Sequence, residues 1–356
     1  MRDLPGGVSE QSPAERLLPM KVLFDYHVPF MLAHGGAQVQ IEQTRAALQE
    51  IGVETAFLEW WNERQTGDVL HHFGAIPPEM VRQARKKGWK VVNTILLSEN
   101  CNRPRRALLL RRVLIRTMLA ATLPQASRLH WHSFRLCDRV VVSLEAEKQI
   151  LVHSYGVEEC AVRKVPLGLR QAFLKAGPGP RSGDYLISHG TIAPVKNTVE
   201  LARLAVAAQV PVLFVGRPFA EGDSYWQQFR KLMDNKYIRH QPHVNSEIEM
   251  IGLLQRARGF VLKSRFENWS LAAHEAAACG LPLLLPDLPW SRERFGTQAS
   301  YFPSKAPAQE VAALGRFYQQ APTAPPPKVR LYSWREVAEI LLDTYAVDPN
   351  ERTVAA

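Results

Sequence analysis

Cysteine is scarce: four in 356 residues, at Cys101, Cys137, Cys160 and Cys279, with neither paired nor metal-ligand spacing. That leaves no support for a disulfide-stapled extracellular scaffold or a zinc module. Such thiols suit a reducing compartment, as small buried apolar groups. No apolar run approaches the ~20 residues that a membrane-spanning helix needs. Met1 to Gly7 lacks the apolar core of a signal peptide, and residues 1–18 read as a flexible extension. There is no Asp-x-Asp at a strand end and no His/Cys/Glu cluster at ligand spacing, so no metal is expected. An aromatic-basic platform for nucleic acid is also missing. The net charge of +10 still favours an acidic partner, and of nucleotide phosphate, anionic lipid and nucleic acid the last is least favoured.

What the chain does have is length for two cores and a hydrophobic fraction of 46%. Strand-like segments at 21–24, 53–58, 68–72, 91–96 and 140–143 alternate with helix-like ones at 38–50, 78–87 and 145–153. A second series runs through strands at 185–188, 212–215, 238–239, 259–263 and 282–286, with helices at 197–208 and 247–257 between them. Alternating β and α predicts mostly parallel sheets, hence an α/β protein with two Rossmann-like halves. The boundaries expected are 19–165 for the first domain, 166–180 for a linker holding Gly177-Pro178-Gly179-Pro180, and 181–328 for the second. Residues 329–356 carry an amphipathic helix at 334–345 and a tail.

The densest signal is Phe266-Glu267-Asn268-Trp269-Ser270-Leu271-Ala272-Ala273-His274-Glu275, followed by Ala276-Ala277-Ala278-Cys279-Gly280-Leu281-Pro282 and Leu283-Leu284-Leu285. It reads as a loop, a helix, a Gly-Pro stop and a buried strand. A helix N-terminus offers free N–H groups and partial positive charge, which suits a phosphate. Glu267 precedes the helix, and Glu275 lies about two turns on at ~1.5 Å per residue. The pair suits hydroxyls at the two ends of a sugar nucleotide whose diphosphate lies between them. The competing reading is two surface glutamates on an amphipathic helix.

Glu267, Leu271, Glu275-Ala276, Gly280 and Pro282 resemble the E-x7-E motif of the retaining glycosyltransferases of family 4 (the glycogen-synthase and phosphatidylinositol-mannosyltransferase group). Met20-Lys21-Val22-Leu23-Phe24 with Gly35-Gly36-Ala37, then Val140-Val141-Val142-Ser143, Pro166-Leu167-Gly168-Leu169, His189-Gly190-Thr191-Ile192-Ala193-Pro194-Val195-Lys196-Asn197 and Val212-Leu213-Phe214-Val215-Gly216 resemble other family segments in order. The resemblance spans about residues 20–346. It implies the GT-B architecture, two Rossmann-like parallel-sheet domains facing a central cleft, with the last helix crossing back to the first domain. It also implies a nucleotide-diphosphate sugar, UDP- or GDP-linked, as co-substrate, with no cofactor and no metal.

The resemblance assigns Lys196 and Glu267 to catalysis: the lysine at the leaving diphosphate, the glutamate at the transferred sugar. Donor contacts fall on Gly35, Gly36, Gly190 and His243, on the backbone of Trp269, Ser270 and Leu271, and on Glu275 at the ribose. His71 and His72, at the end of a first-domain strand, are acceptor-side candidates, with a structural histidine the competing reading for each. Three departures stand out. Asn268-Trp269-Ser270 replaces the usual Gly-Phe-Gly. Thr191 occupies the place of an arginine five residues before Lys196, and Arg217 is the nearest candidate to supply that charge. Leu96 replaces a histidine beside the reacting carbon.

From Arg103 to Arg116 the chain holds six arginines and no acid, interleaved with leucines. This suits an anionic membrane surface; the competing reading is a domain helix whose basic chains snorkel over its rim. The expected activity is transfer of a hexose to a saccharide or lipid-linked acceptor in polysaccharide or glycoconjugate biosynthesis, in the cytoplasm or peripherally on the inner face of the cell membrane. Two rivals stand beside it: a sugar-nucleotide epimerase of the same double-Rossmann architecture, and a non-catalytic sugar-nucleotide-binding protein.

Overall fold

The computed structural model describes residues 20–26, 35–121, 126, 128–303 and 306–346. The extension expected at 1–18 and the tail beyond 346 lie outside these. The first sheet comprises β1 (Lys21–Tyr26), β2 (Glu54–Phe57), β3 (Val69–Phe73), β4 (Lys90–Thr94), β5 (Arg139–Val142) and β6 (Val162–Lys164), in the order β2-β1-β3-β4-β5-β6. The second comprises β7 (Leu186–His189), β8 (Val212–Val215), β9 (Ile238–Gln241), β10 (Gly259–Val261), β11 (Leu283–Pro286) and β12 (Ser300–Phe302), in the order β12-β11-β10-β7-β8-β9. Every pairing is parallel.

Parallel strands covered on both faces must be apolar on both faces, and these are. Leu23, Val91, Val140 and Val142 point into one core of the first lobe. Val22, Phe24, Val92 and Val141, one residue out of phase, point into the other. Ile187, Phe260, Leu283 and Leu285 divide from Leu186, Val261 and Leu284 in the same way in the second lobe. The two strands that periodicity did not pick out, β6 and β12, are three-residue edge strands. Three residues carry no readable alternation.

The chain passes between the lobes twice, and the passages are paired: the Leu169 N–H donates to the Tyr332 carbonyl at 2.7 Å. The helix Trp334–Ala346 then lies on the first lobe, where Trp334, Val337, Ala338, Leu341 and Tyr345 complete its core at helical spacing. Trp269, from the second lobe, is buried in that same cluster. Arg294 stacks on Trp269 at 3.9 Å and donates across to the Ser143 carbonyl. Asn102 donates to the Arg265 carbonyl at 2.6 Å. Trp269, Leu144 of the first lobe buried in the second lobe's core, and a few polar contacts thus join the two lobes.

Candidate functional site

Between the lobes lies a cleft of about 530 Å³, within the roughly 300–1,000 Å³ of small-molecule sites. Gly35, Gly36, Glu42 and Leu96 line it from the first lobe. The second lobe contributes Gly190, Lys196, His243, Glu267, Trp269, Ser270, Leu271 and Glu275. The donor-side residues read from the sequence, scattered over 240 positions of chain, therefore share one hollow.

The helix Leu271–Ala278 opens onto this hollow with no side-chain cap. Its first amides lack intrahelical partners, as at any helix start. Ser270 sits at φ +61 in the left-handed region, where glycine is at ease. It occupies the place of a glycine in the resembled motif, so the backbone keeps the glycine shape although the residue does not. Ser270 Oγ is buried without a hydrogen-bond partner. The Ser270 side chain does not cap the helix. Trp269 packs away from the cleft, its ring stacked on His274 at 4.8 Å, so only its backbone serves the hollow.

Lys196 ends the turn Pro194–Lys196 before the helix Thr198–Ala208. Its ammonium pairs with Glu267 at 2.5 Å. The Arg265 N–H donates to the Val195 carbonyl at 2.8 Å, which pins the two loops together and makes the pair a built feature. Next to it, Gly216 (φ +150) passes so close to the Gly190 carbonyl that a Cβ there would collide with it. That approach zips the two loops in parallel, and the Ile192 N–H donates to the Arg217 carbonyl at 3.0 Å. Arg217 thereby stands one loop over from Thr191, in the cleft wall, and makes no ion pair among the described residues. Across the cleft is Gly35 at φ +140, a backbone shape open essentially to glycine alone. A Cβ on it would stand 3.8 Å from Thr191 Oγ1.

Glu275 is buried, with its Oε2 3.4 Å from His189 Nε2. Burial dominates both groups: it pushes the Glu275 carboxyl up to about 7, against a smaller opposing pull from Arg170. It also holds His189 down at about 4. At neutral pH His189 is uncharged, so the two are not an ion pair. Arg170 is itself paired with Glu247 at 2.9 Å, and both line the cleft. Sequence reasoning missed this pair and the place of His189. Only the adjacency of Arg170 to the Pro166–Leu169 segment pointed there.

No protein-family model matches the chain. A 117-residue stretch is 27% identical to the serotype-specific mannosyltransferase WbdA of Escherichia coli, covering 30% of this chain and 14% of that protein. A 170-residue stretch is 26% identical to the D-inositol 3-phosphate glycosyltransferase of Kineococcus radiotolerans, covering 41% of this chain and 39% of that one. The matches thus span well under half of either relative. Among solved structures, sucrose-phosphate synthase from Thermosynechococcus elongatus superposes with a TM-score of 0.63 at 14% identity, over 94% of this chain and 100% of that one. Anabaena HepE, solved in complex with UDP, gives 0.60 at 12% identity over 94% and 98%. The lipopolysaccharide outer core galactosyltransferase WaaB, in its apo form, gives 0.58 at 12% over 91% and 99%. The fold is GT-B.

Two residues expected at the front of the GT-B cleft are elsewhere. His71 is wholly buried between Tyr345 Oη and Thr94 Oγ1, each at 2.7 Å. Burial drives its imidazole down to about 3, so it is a neutral core residue tying the C-terminal helix to β3. His72 is buried too, its Nδ1 2.6 Å from Asp25 Oδ2, and it does not line the cleft. Both sit on a strand buried along its whole length, and neither lines the hollow among the described residues. Leu96, by contrast, is about half exposed and does line the GT-B cleft.

Proposed function

We propose that this chain is a retaining glycosyltransferase of the family 4 type, transferring a hexose from a UDP- or GDP-linked sugar to a saccharide or lipid-linked acceptor. One observation carries it: the Lys196–Glu267 pair, the uncapped start of the Leu271–Ala278 helix and buried Glu275 share one cleft wall opposite the Gly35 loop. An ammonium and a row of free amides are what a leaving diphosphate needs, and carboxylates on either side suit the hydroxyls of ribose and sugar. Both sequence relatives and the structural neighbour WaaB are named as transferases rather than epimerases, and the neighbour HepE was solved with UDP.

In this mechanism the diphosphate lies on the amides of Trp269, Ser270 and Leu271. Lys196 turns from Glu267 to the phosphates and stabilises the charge that grows as the glycosidic bond breaks. Glu267, freed of its partner, accepts hydrogen bonds from the sugar. Glu275 accepts the ribose hydroxyls, and the 243–247 loop flanks the base. The acceptor enters from the Gly35 and Leu96 side and attacks on the face the nucleotide leaves. The working units would be lobes 19–165 and 181–328, hinged at 166–180. The diphosphate's charge is met by the helix N-terminus, Lys196 and Arg217, so chelator is expected to leave the rate unchanged.

Arg217 takes over the arginine role absent at Thr191. Arg217→Ala is expected to weaken donor affinity roughly tenfold or more, the worth of a hydrogen bond to a charged group. Titration of the variant with the donor checks this, and unchanged affinity would leave Thr191 uncompensated. The whole reading is tested by incubating protein, sugar nucleotide and a panel of acceptors, with the product's anomeric configuration read by NMR. Product with the donor's configuration is expected. Inverted product removes the retaining claim, an isomerised sugar nucleotide from donor alone favours an epimerase, and binding without turnover favours the non-catalytic rival.

A further inference from the structure

The helix Arg105–Ala120 has two apolar faces where a domain helix needs one. Ile115 and Leu119 face the core of the first lobe, flanked by Leu108 and Met118. On the solvent side Leu109, Leu110, Val113 and Leu114 are 61%, 75%, 65% and 57% exposed. At 3.6 residues per turn these four share an arc of roughly 140°. A basic helix snorkelling over a rim would have put its leucines inward and left only guanidinium groups outside; here the outward face is aliphatic. A contiguous apolar patch on a soluble lobe marks a contact surface.

Charge indicates what meets it. The helix carries no acidic residue. Arg106 lies within the aliphatic arc at its first turn, Arg112 is exposed about 60° beyond its edge, and neither makes an ion pair or hydrogen bond among the described residues. Arg116 is different: it donates to the His153 carbonyl at 2.9 Å and fastens the helix to the lobe. The helix also starts beside the cleft mouth. Its lead-in segment holds Leu96, which lines the cleft, and Asn102, which reaches the second lobe.

We infer that this outward face docks on an anionic lipid bilayer: Leu109, Leu110, Val113 and Leu114 enter the boundary between headgroups and acyl chains, and Arg106 and Arg112 meet lipid phosphates. The inference is independent of the donor reading, because vesicle binding is measured with no sugar nucleotide present.

The test is co-sedimentation of the full chain with vesicles of phosphatidylcholine alone or mixed with phosphatidylglycerol, at low and high salt. Wild type is expected to pellet with the mixed vesicles and not with phosphatidylcholine alone. Leu110→Ser/Val113→Ser/Leu114→Ser, all on the solvent side and with an unchanged melting curve, is expected to bind at least roughly tenfold more weakly at both salts. Arg106→Gln/Arg112→Gln is expected to lose the preference for anionic lipid and most of the salt dependence. Wild type left in the supernatant, or a triple-serine variant that pellets like wild type, would overturn the inference. So would a dimer in sedimentation velocity that the serine substitutions dissolve, since the face would then belong to a second copy of the chain.

Discussion

Lys196→Ala is expected to lower the rate of sugar transfer by about 10²–10³-fold, the usual cost of removing one preorganised group that stabilises a developing negative charge. It should also destabilise the fold, because Glu267 would be left partly buried without its cation at 2.5 Å. Lys196 keeps 28% of its side chain in water, so solvent screens the pair and the loss should be about 1–3 kcal/mol, below the cost of breaking a fully buried pair. A second substitution separates the two effects. Lys196→Ala/Glu267→Gln removes the orphaned charge and is expected to recover most of the melting temperature while transfer stays low. If the double variant recovered its rate as well, the lysine would do no more than neutralise Glu267.

The second large effect concerns Glu275. Burial raises its carboxyl to about 7 from an ordinary 4.5. A folded value above the unfolded one means that the folded chain holds the extra proton between those limits. Stability from this group is therefore complete below about pH 4.5, falls as pH climbs through the window, and is lost above about 7. At ~1.4 kcal/mol per unit, the loss by pH 8 is about 3 kcal/mol. Glu275→Gln, which carries no charge at any pH, should melt several degrees above wild type at pH 8, and the gap should close toward pH 4.5. The same variant should bind donor roughly tenfold more weakly, because an amide offers one acceptor oxygen where a carboxylate offers two. A gain in stability with a loss in binding is the mark of a residue kept for its ligand. Melting curves across pH, with and without donor, read both; a variant less stable than wild type at pH 8 would contradict the burial argument.

The core strands were legible because each buries both faces and carries its own apolar run, as in Val140-Val141-Val142 and Leu283-Leu284-Leu285. The shared cleft wall was legible because Glu267, Ser270 and Glu275 lie within one loop-helix unit whose spacing fixes their geometry. Long-range pairing was not. Arg170 and Glu247 are 77 positions apart and meet only once the second lobe closes on the linker. The strand β3 Val-Leu-His-His-Phe put two histidines at a strand end, and a sequence does not say that Asp25 and Tyr345 will enclose them. Composition marked the arginine-rich helix as amphipathic. Which of its leucines face water depends on the neighbours that cover Ile115 and Leu119, and only the fold supplies those.

The central claim is that the cleft grips a nucleoside diphosphate through Lys196 and the helix start at Leu271. Calorimetric titration of the protein with uridine and guanosine as nucleoside, monophosphate and diphosphate tests it most directly. For one base, one-to-one binding that tightens sharply from nucleoside to diphosphate, and loses that gain in Lys196→Ala, is the result expected. Equal affinity along the phosphate series, or no binding by either diphosphate, would contradict it.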